Sequence, residues 1–296
     1  MNLRDLEYLI ALQEVKHFRK AAEKCFVSQP TLSGQISKLE EELGLLLIER
    51  TSRKVIFTHA GEDIAAKARQ ILMEVKGLKD IAKNYQAPLS GPLHMGLIPT
   101  VAPYVLPKIV PQIREQFPDL ELFLYEEQTS ELLKKLDEGE LDCLVLALLP
   151  DMERFGRIDL YREPLLLALP KSHQWRDRER VAIDDLKGHR VLMLEDGHCL
   201  REQAMGYCFA AGAKEDTSFK ATSLETLRHM VAADCGITLL PELAVPQAQN
   251  DHHELCYKRF VEPQPGRTIS LMYRMHSVRR PCFNELGKLI QNQIHF

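Results

Sequence analysis

The chain lacks any apolar run long enough for a membrane helix. Its longest, Cys143 to Leu149 and Leu165 to Leu169, fall far short of the roughly 20 residues that a span requires. It also lacks an uninterrupted apolar stretch at its start, where Asp5, Glu7 and Glu14 stand instead, so a cytoplasmic protein with no membrane partner is expected. Paired cysteines are missing too. The seven, Cys25, Cys143, Cys199, Cys208, Cys235, Cys256 and Cys282, show no two-residue spacing, which argues against a zinc knuckle or a thioredoxin-type motif. No metal or other cofactor is expected. In a reducing cytosol most of these thiols should be buried and free, and any disulfide transient and regulatory. Nor is there a strong excess of one charge. The net value is −4, with 14 Lys and Arg against 12 Asp and Glu in residues 1–90, and 24 against 30 in the rest. A nucleic-acid reading must therefore rest on where the bases stand. Internal repeats and low-complexity tracts are absent. What is present is a 296-residue chain, 45% hydrophobic and 27% charged, with room for two or three cores.

The first 58 residues read as helices followed by a hairpin. Leu3, Leu6, Leu9 and Ile10 form one helical face. A second short helix, about Phe18 to Cys25, carries Ala21 and Ala22 where a neighbour can approach closely. Ser28 is suited to cap a third helix and Pro30 to sit in its first turn, where the missing N–H costs nothing. That helix should bury Leu32, Ile36, Leu39 and Leu43 and stop at Gly44. Two helices joined by the short break Phe26-Val27 make a helix-turn-helix. Its other face offers Gln29, Thr31, Ser33, Gln35 and Lys38 with no acid before Glu40, amides and hydroxyls suited to base edges in a major groove. Arg19, Lys20 and Lys24 fall where phosphate contacts would. Leu46 to Ile48 and Val55 to Phe57 read as strands around Thr51-Ser52-Arg53-Lys54, and Arg50 and Arg53 are expected to touch the DNA backbone or minor groove.

Thr58 is expected to cap a helix running to about Gln86, roughly 40 Å long at 1.5 Å per residue. Ile64, Ala68, Ile71, Val75, Leu78 and Ala82 trace a heptad seam along it, which a second copy of the chain would fill. Pro88 and Ser90-Gly91-Pro92 mark a hinge. From Leu93 the rhythm alternates strand and helix: strands at Leu93–Ile98, Leu120–Glu126 and Leu141–Leu148, helices at Val101–Gln116 and from Thr129 to Glu138. Further strands fall near Leu165–Leu169, Val191–Leu194, Ile237–Leu240 and Thr268–Tyr273. A helix opens at a Thr222–Glu225 capping box, and a closing helix starts at Pro281. The predicted organisation is α/β throughout. Residues 1–58 are the DNA-binding domain, 59–90 the dimerisation helix and hinge, and 91–296 a two-lobed regulatory domain. Lobe I takes about 91–161 and 268–296, lobe II about 162–267.

These segments resemble the LysR-type transcriptional regulators. The likeness rests on Phe18-Arg19-Lys20-Ala21-Ala22, on Val27-Ser28-Gln29-Pro30-Thr31-Leu32-Ser33, on Leu39-Glu40-Glu41-Glu42-Leu43-Gly44 and on Glu49-Arg50-Thr51. It implies a winged helix-turn-helix, a long dimerisation helix and an effector domain similar to periplasmic solute-binding proteins. Within that family the effector domain looks like that of the hydrogen-peroxide sensors. Leu194-Glu195-Asp196-Gly197-His198-Cys199-Leu200-Arg201, Gln203 to Cys208, Gly96 to Thr100 and Ala221 to Leu227 carry this resemblance. It implies that Cys199 is the peroxidatic thiol and Cys208 the resolving one, and that Thr100, Thr129 and His198 surround the peroxide. It also implies a homodimer or homotetramer on a double-stranded operator, acting with RNA polymerase to activate oxidative-stress genes.

The residues agree with such a role. Cys199 stands at the start of a predicted helix beside His198 and near Arg201, and helix N–H groups and positive charge stabilise a thiolate, while Asp196 opposes. Thr100 and Thr129 also read as helix caps. Nine helical residues separate Cys199 from Cys208 by about 13.5 Å, while disulfide Cα atoms lie within about 7 Å, so the segment must refold for the two to join. The alternatives are a LysR-type regulator that binds a small organic ligand between its lobes, and a thiol peroxidase fused to a DNA-binding module, for which no thioredoxin-like motif speaks. A regulator, not an enzyme, is the expectation.

Overall fold

In the computed structural model, which describes residues 1–50, 55–84, 89–150, 152–246 and 255–296, the chain divides into two units, Met1–Lys83 and Asn84–Phe296. The side chains of Arg50 and of residues 79–84 lie outside that description.

The first unit opens with α1 (Leu3–Val15), started by a capping box between Asn2 and Asp5. Leu6, Tyr8, Leu9, Ala11 and Leu12 are buried, while Leu3 is exposed and Ile10 half-buried. The inward stripe is thus rotated from the expected one, because Tyr8 and Ala11 complete it and turn the Leu3 and Ile10 side outward. In α2 (Phe18–Lys24) the small Ala21 and Ala22 are buried. Phe26, in the turn, takes a left-handed φ of 56°. Ser28 caps α3 (Gln29–Leu43) by accepting from Thr31 N, Pro30 lies in its first turn, and Gly44 ends it at φ 67°. Leu32, Ile36 and Leu39 are buried and Leu43 is half-buried. β1 (Ile48–Arg50) and β2 (Val55–Phe57) pair antiparallel. The first strand starts two residues later than expected, because the buried Glu40 carboxylate accepts from Leu47 N and Ile48 N and Leu47 enters the core. Residues 51–54, with Arg53, lie outside the described residues.

The helix α4 (His59–Asn84) follows, Thr58 Oγ1 accepting from Gly61 N at 3.0 Å. Ala68 is buried and Ile64 half-buried, but Ile71 is 37% and Leu78 66% exposed within the single chain.

In the second unit, β3 (Gly91–Leu97), α5 (Ala102–Gln116), β4 (Leu120–Glu126), α6 (Thr129–Asp137) and β5 (Cys143–Ala147) form the parallel start of lobe I, with β3 between β4 and β5. β5 is buried at every position, as a central strand covered on both faces must be. β6 (Phe155–Pro170) leads into lobe II, where β7 (Arg180–Val181), β8 (Arg190–Leu194), α7 (Cys199–Ala210), β9 (Lys214–Ala221), α8 (Leu224–Ala232), β10 (Thr238–Pro241) and β11 (Leu255–Phe260) follow. β12 (Gly266–Arg274) returns to lobe I and α9 (Arg280–Gln293) closes the fold.

β6 and β12 are the two crossings. The first half of β6 pairs with β12, and its second half pairs with β10 and β11. Lobe I and lobe II keep separate hydrophobic cores. Some expected caps are replaced. Val101 and Gln128 are the N-cap residues of α5 and α6, so Thr100 precedes its helix and Thr129 is already inside it. In α8 the cap is Ser223, accepting from Thr226 N, because helical backbone begins one residue later than a Thr222 cap requires.

Candidate functional site

The chemistry centres on α7. Gly197, at φ 96°, turns the chain out of β8, and a Cβ there would meet Gln128 Oε1 at 2.4 Å. His198 is the N-cap residue and Cys199 the first residue of α7. Every residue from Cys199 to Cys208 is helical, and both thiols are buried and free. They do not share a core. Cys199 packs with the apolar residues of lobe I, whereas Leu200, Ala204 and Cys208 pack with those of lobe II.

Cys199 is 3% exposed, and burial pushes its thiol up. Four influences pull the other way: the charge of Arg267, the Thr129 hydroxyl, and backbone hydrogen bonding from Ala147 and Leu200. Arg201, expected to help, is occupied elsewhere. It makes a two-pronged bond to Glu215 at 2.6 and 2.8 Å, donates to Leu194 O, and pairs with Asp196 at 2.9 Å. Asp196 in turn accepts from Lys220, and its carboxyl is held below the usual range by Lys220 first and Arg201 second. This network anchors the first turn of α7 to β9. Further along, Gln203 donates to Leu148 O and Tyr207 donates to Gly266 O.

Arg267 is the candidate site residue that no local sequence pattern reveals. On β12 it stands opposite Glu163 of β6, both side chains without exposed area, at 2.8 Å. Its other N–H groups bond Thr100 Oγ1 at 2.8 Å and Thr100 O at 2.9 Å. Removing one partner of a buried pair of this kind costs about 3–5 kcal/mol, because the other is left as an unpaired buried charge. Thr129 and the charge of Arg267 thus both favour the thiolate, and Thr100 is bonded to Arg267. His198 borders Cys199 along the chain. Burial lowers the His198 pKa, with Glu195 opposing, so the ring is neutral at physiological pH. Thr129 Oγ1 and His198 Nε2 are buried with no nitrogen or oxygen partner among the described residues. Cys208 has no exposed surface, and burial alone pushes its thiol up to about 12.

In the first unit, Ser28, Gln29, Pro30, Thr31 and Lys38 are exposed along α3, while Ser33 and Gln35 are half-buried. Arg50 ends β1. Arg19 and Lys24 make exposed ion pairs with Glu23 and Glu14, contacts weak enough to be exchanged for phosphate.

A helix-turn-helix with a hairpin wing, joined to a two-lobed α/β domain, defines a bacterial transcription regulator of the LysR class. Residues 3–62 match the bacterial regulatory helix-turn-helix proteins of the lysR family, and residues 86–294 match the LysR substrate binding domain. The chain belongs to the LysR family. Among the chains it is similar to is the hydrogen peroxide-inducible genes activator of Dickeya chrysanthemi, 56% identical over 297 residues that cover 100% of this chain and 97% of that one. A full-length cysteine-to-aspartate variant of OxyR from Pseudomonas aeruginosa superimposes with a TM-score of 0.80 at 34% identity, covering 98% of this chain and 95% of that one. OxyR in its oxidised form matches with a TM-score of 0.64 at 53% identity, over 70% of this chain and 97% of that one.

Proposed function

We propose that this chain is a cytoplasmic DNA-binding activator that senses hydrogen peroxide through a reversible disulfide between Cys199 and Cys208. The observation that carries the reading is the placing of two thiols at opposite ends of one helix, each in a different core. The similar chains named for peroxide induction and for OxyR support it.

In the first step the Cys199 thiolate attacks one peroxide oxygen. The S–O bond forms, the O–O bond breaks, and the departing hydroxide takes a proton to leave as water once the sulfenic acid is made. Thr129 Oγ1 and His198 Nε2, buried polar atoms with no nitrogen or oxygen partner among the described residues, are the groups that would hold the peroxide, with Thr100 beside Arg267. In the second step the Cys208 thiol gives up its proton and attacks the sulfenic sulfur, the S–S bond forms as the S–O bond breaks, and the departing hydroxide takes that proton to leave as water. A thiol reductant reverses the change.

Helical geometry forbids the second step while α7 is intact. Closing the bridge must draw at least one thiol out of its core and break anchors such as Arg201–Glu215 and Tyr207–Gly266. A local oxidation thereby becomes a repacking of lobe surface, which can reset how subunits meet and how far apart their DNA-binding units stand. The domains act in the order 1–58 for DNA, 59–90 for dimerisation and 91–296 for sensing, in a homodimer or homotetramer that engages RNA polymerase at the operator.

The test is operator footprinting with transcription in vitro, before and after one equivalent of peroxide. The footprint and transcript level should change with peroxide and return with a thiol reductant. A chain that ignores peroxide and answers a small metabolite would be a ligand-controlled member of the family instead. On the DNA side, Gln29, Thr31 and Ser33 replaced together by alanine should relax sequence preference, whereas Arg50→Ala should weaken binding to all sequences and flatten its salt dependence. Unchanged operator selectivity in the triple variant would put base reading elsewhere.

A further inference from the structure

We infer that Glu163 is a positioning residue that sets how readily Cys199 ionises, by sharing the charge of Arg267. The inference rests on the peroxide-sensing reading above and assigns the part of the site that tunes its sensitivity.

Glu163 and Arg267 face each other across β6 and β12, in the stretch where the chain crosses between lobes. Arg267 Nε and Nη2 both reach Glu163 Oε2 at 2.8 Å. The second carboxylate oxygen accepts from Leu243 N at 3.2 Å, which ties this side of the pair to the segment after β10. Thr100, on the approach to α5, takes two further Arg267 donors. Arg267 is therefore held by a fixed carboxylate while its charge acts on a sulfur that can be neutral or negative.

The charges around it are few. Cys199 feels the charge of Arg267 on β12, the Thr129 hydroxyl on α6 and the backbone of Ala147 on β5. Tyr104 and Tyr161 also feel the Glu163–Arg267 pair, and burial pushes both phenols above their ordinary range, so they are neutral at physiological pH. His198 is neutral as well. Asp196 and Arg201, on the approach to α7 and on its first turn, are engaged with Lys220 and Glu215. With the Cys199 thiol protonated, the Glu163–Arg267 pair is balanced. Ionising the thiol leaves one net negative charge where little water enters, and that is costly. Glu163 thus both orients Arg267 and restrains the thiolate that Arg267 favours.

Glu163→Gln preserves shape and an oxygen acceptor for Arg267 while deleting the carboxylate charge. The thiolate then becomes the counter-ion of the guanidinium. An opposite charge left unshared at this range lowers a midpoint by about one unit or more. A one-unit fall raises the thiolate fraction at pH 7 about tenfold, while the weaker basicity lowers nucleophilicity about threefold, so oxidation should run about threefold faster. Were Glu163 only an anchor, its loss would misplace Arg267, and the midpoint would rise as it should in Arg267→Gln.

The experiment uses the full-length protein. The pH dependence of Cys199 alkylation by iodoacetamide is followed by peptide mass spectrometry, alongside the second-order rate of Cys199 oxidation by hydrogen peroxide. Glu163→Gln should lower the midpoint and speed oxidation, and Glu163→Asp, which restores the charge, should return both towards the wild type. The double variant Glu163→Gln with Arg267→Gln buries no unpaired charge and carries the same test should the single variant fold poorly. Its midpoint should lie below that of Arg267→Gln alone. An unchanged or raised midpoint in folded Glu163→Gln, or in the double variant against Arg267→Gln, overturns the inference alone. A wild-type Cys199 that peroxide does not oxidise overturns the sensing reading and this inference with it.

Discussion

Cys199→Ser is expected to give a folded protein locked in its reduced DNA footprint, with no change at any peroxide concentration. Serine fills nearly the same space in the lobe I core but has no sulfur to oxidise, so the response should fall to zero while stability changes by about 1 kcal/mol. Cys208→Ser should behave differently. Its Cys199 should still form the sulfenic acid, because the groups that act on that thiol, Arg267, Thr129 and the backbone of Ala147 and Leu200, are untouched. The locked form should not appear, and activation should be weak or short-lived. Single replacement of Cys25, Cys143, Cys235, Cys256 or Cys282 should spare the response. Site-resolved mass spectrometry with footprinting reads all of these, and a peroxide response that survives in Cys199→Ser would remove this thiol from the mechanism.

The second large effect is on assembly. Ile71 and Leu78 lie on α4 with 37% and 66% of their surface exposed, apolar side chains that the described residues cover only in part. A second copy of the helix completes the cover in the proposed dimer. Ile71→Glu with Leu78→Glu should therefore place like charges in the seam and abolish dimers. Operator affinity should fall with them by several orders of magnitude, since each subunit reads one half-site. Sedimentation and operator titration at one protein concentration check both. A fully active oligomer would mean that the seam packs on something other than its own copy.

The DNA-binding unit was legible because its signals are local. The Ser28 cap, the Pro30 first turn and the Gly44 stop each act within a few residues of the chain they shape. The roles of the two thiols came from the family resemblance, and the local pattern added only that both lie on one helix, as they do. Arg201 shows where adjacency misleads. It stands two positions after Cys199, about 200° around the helix, and so points to Glu215 rather than to the sulfur. Arg267 and Glu163 were hidden because strand pairing brings them together from distant parts of the chain. A faint signal existed. Each is a charged residue at the edge of an apolar strand run, Glu163 before Leu165–Leu169 and Arg267 before Thr268–Tyr273, and an isolated charge bordering a buried strand calls for a partner. The Thr100 and Thr129 caps were misread because a hydroxyl before a helix looks the same whether it bonds the backbone or faces a thiol.

The central claim is that α7 cannot survive the bridge. Peroxide-treated protein, digested without reduction, should yield one cross-linked peptide joining Cys199 to Cys208. Hydrogen exchange on the same sample should show lost protection of the amides between residues 199 and 208, since their Cα atoms must approach by roughly 6 Å and the helical bonds cannot hold through that contraction. A Cys199–Cys208 bridge with the helix still protected, or a bridge from Cys199 to another cysteine, would contradict the account.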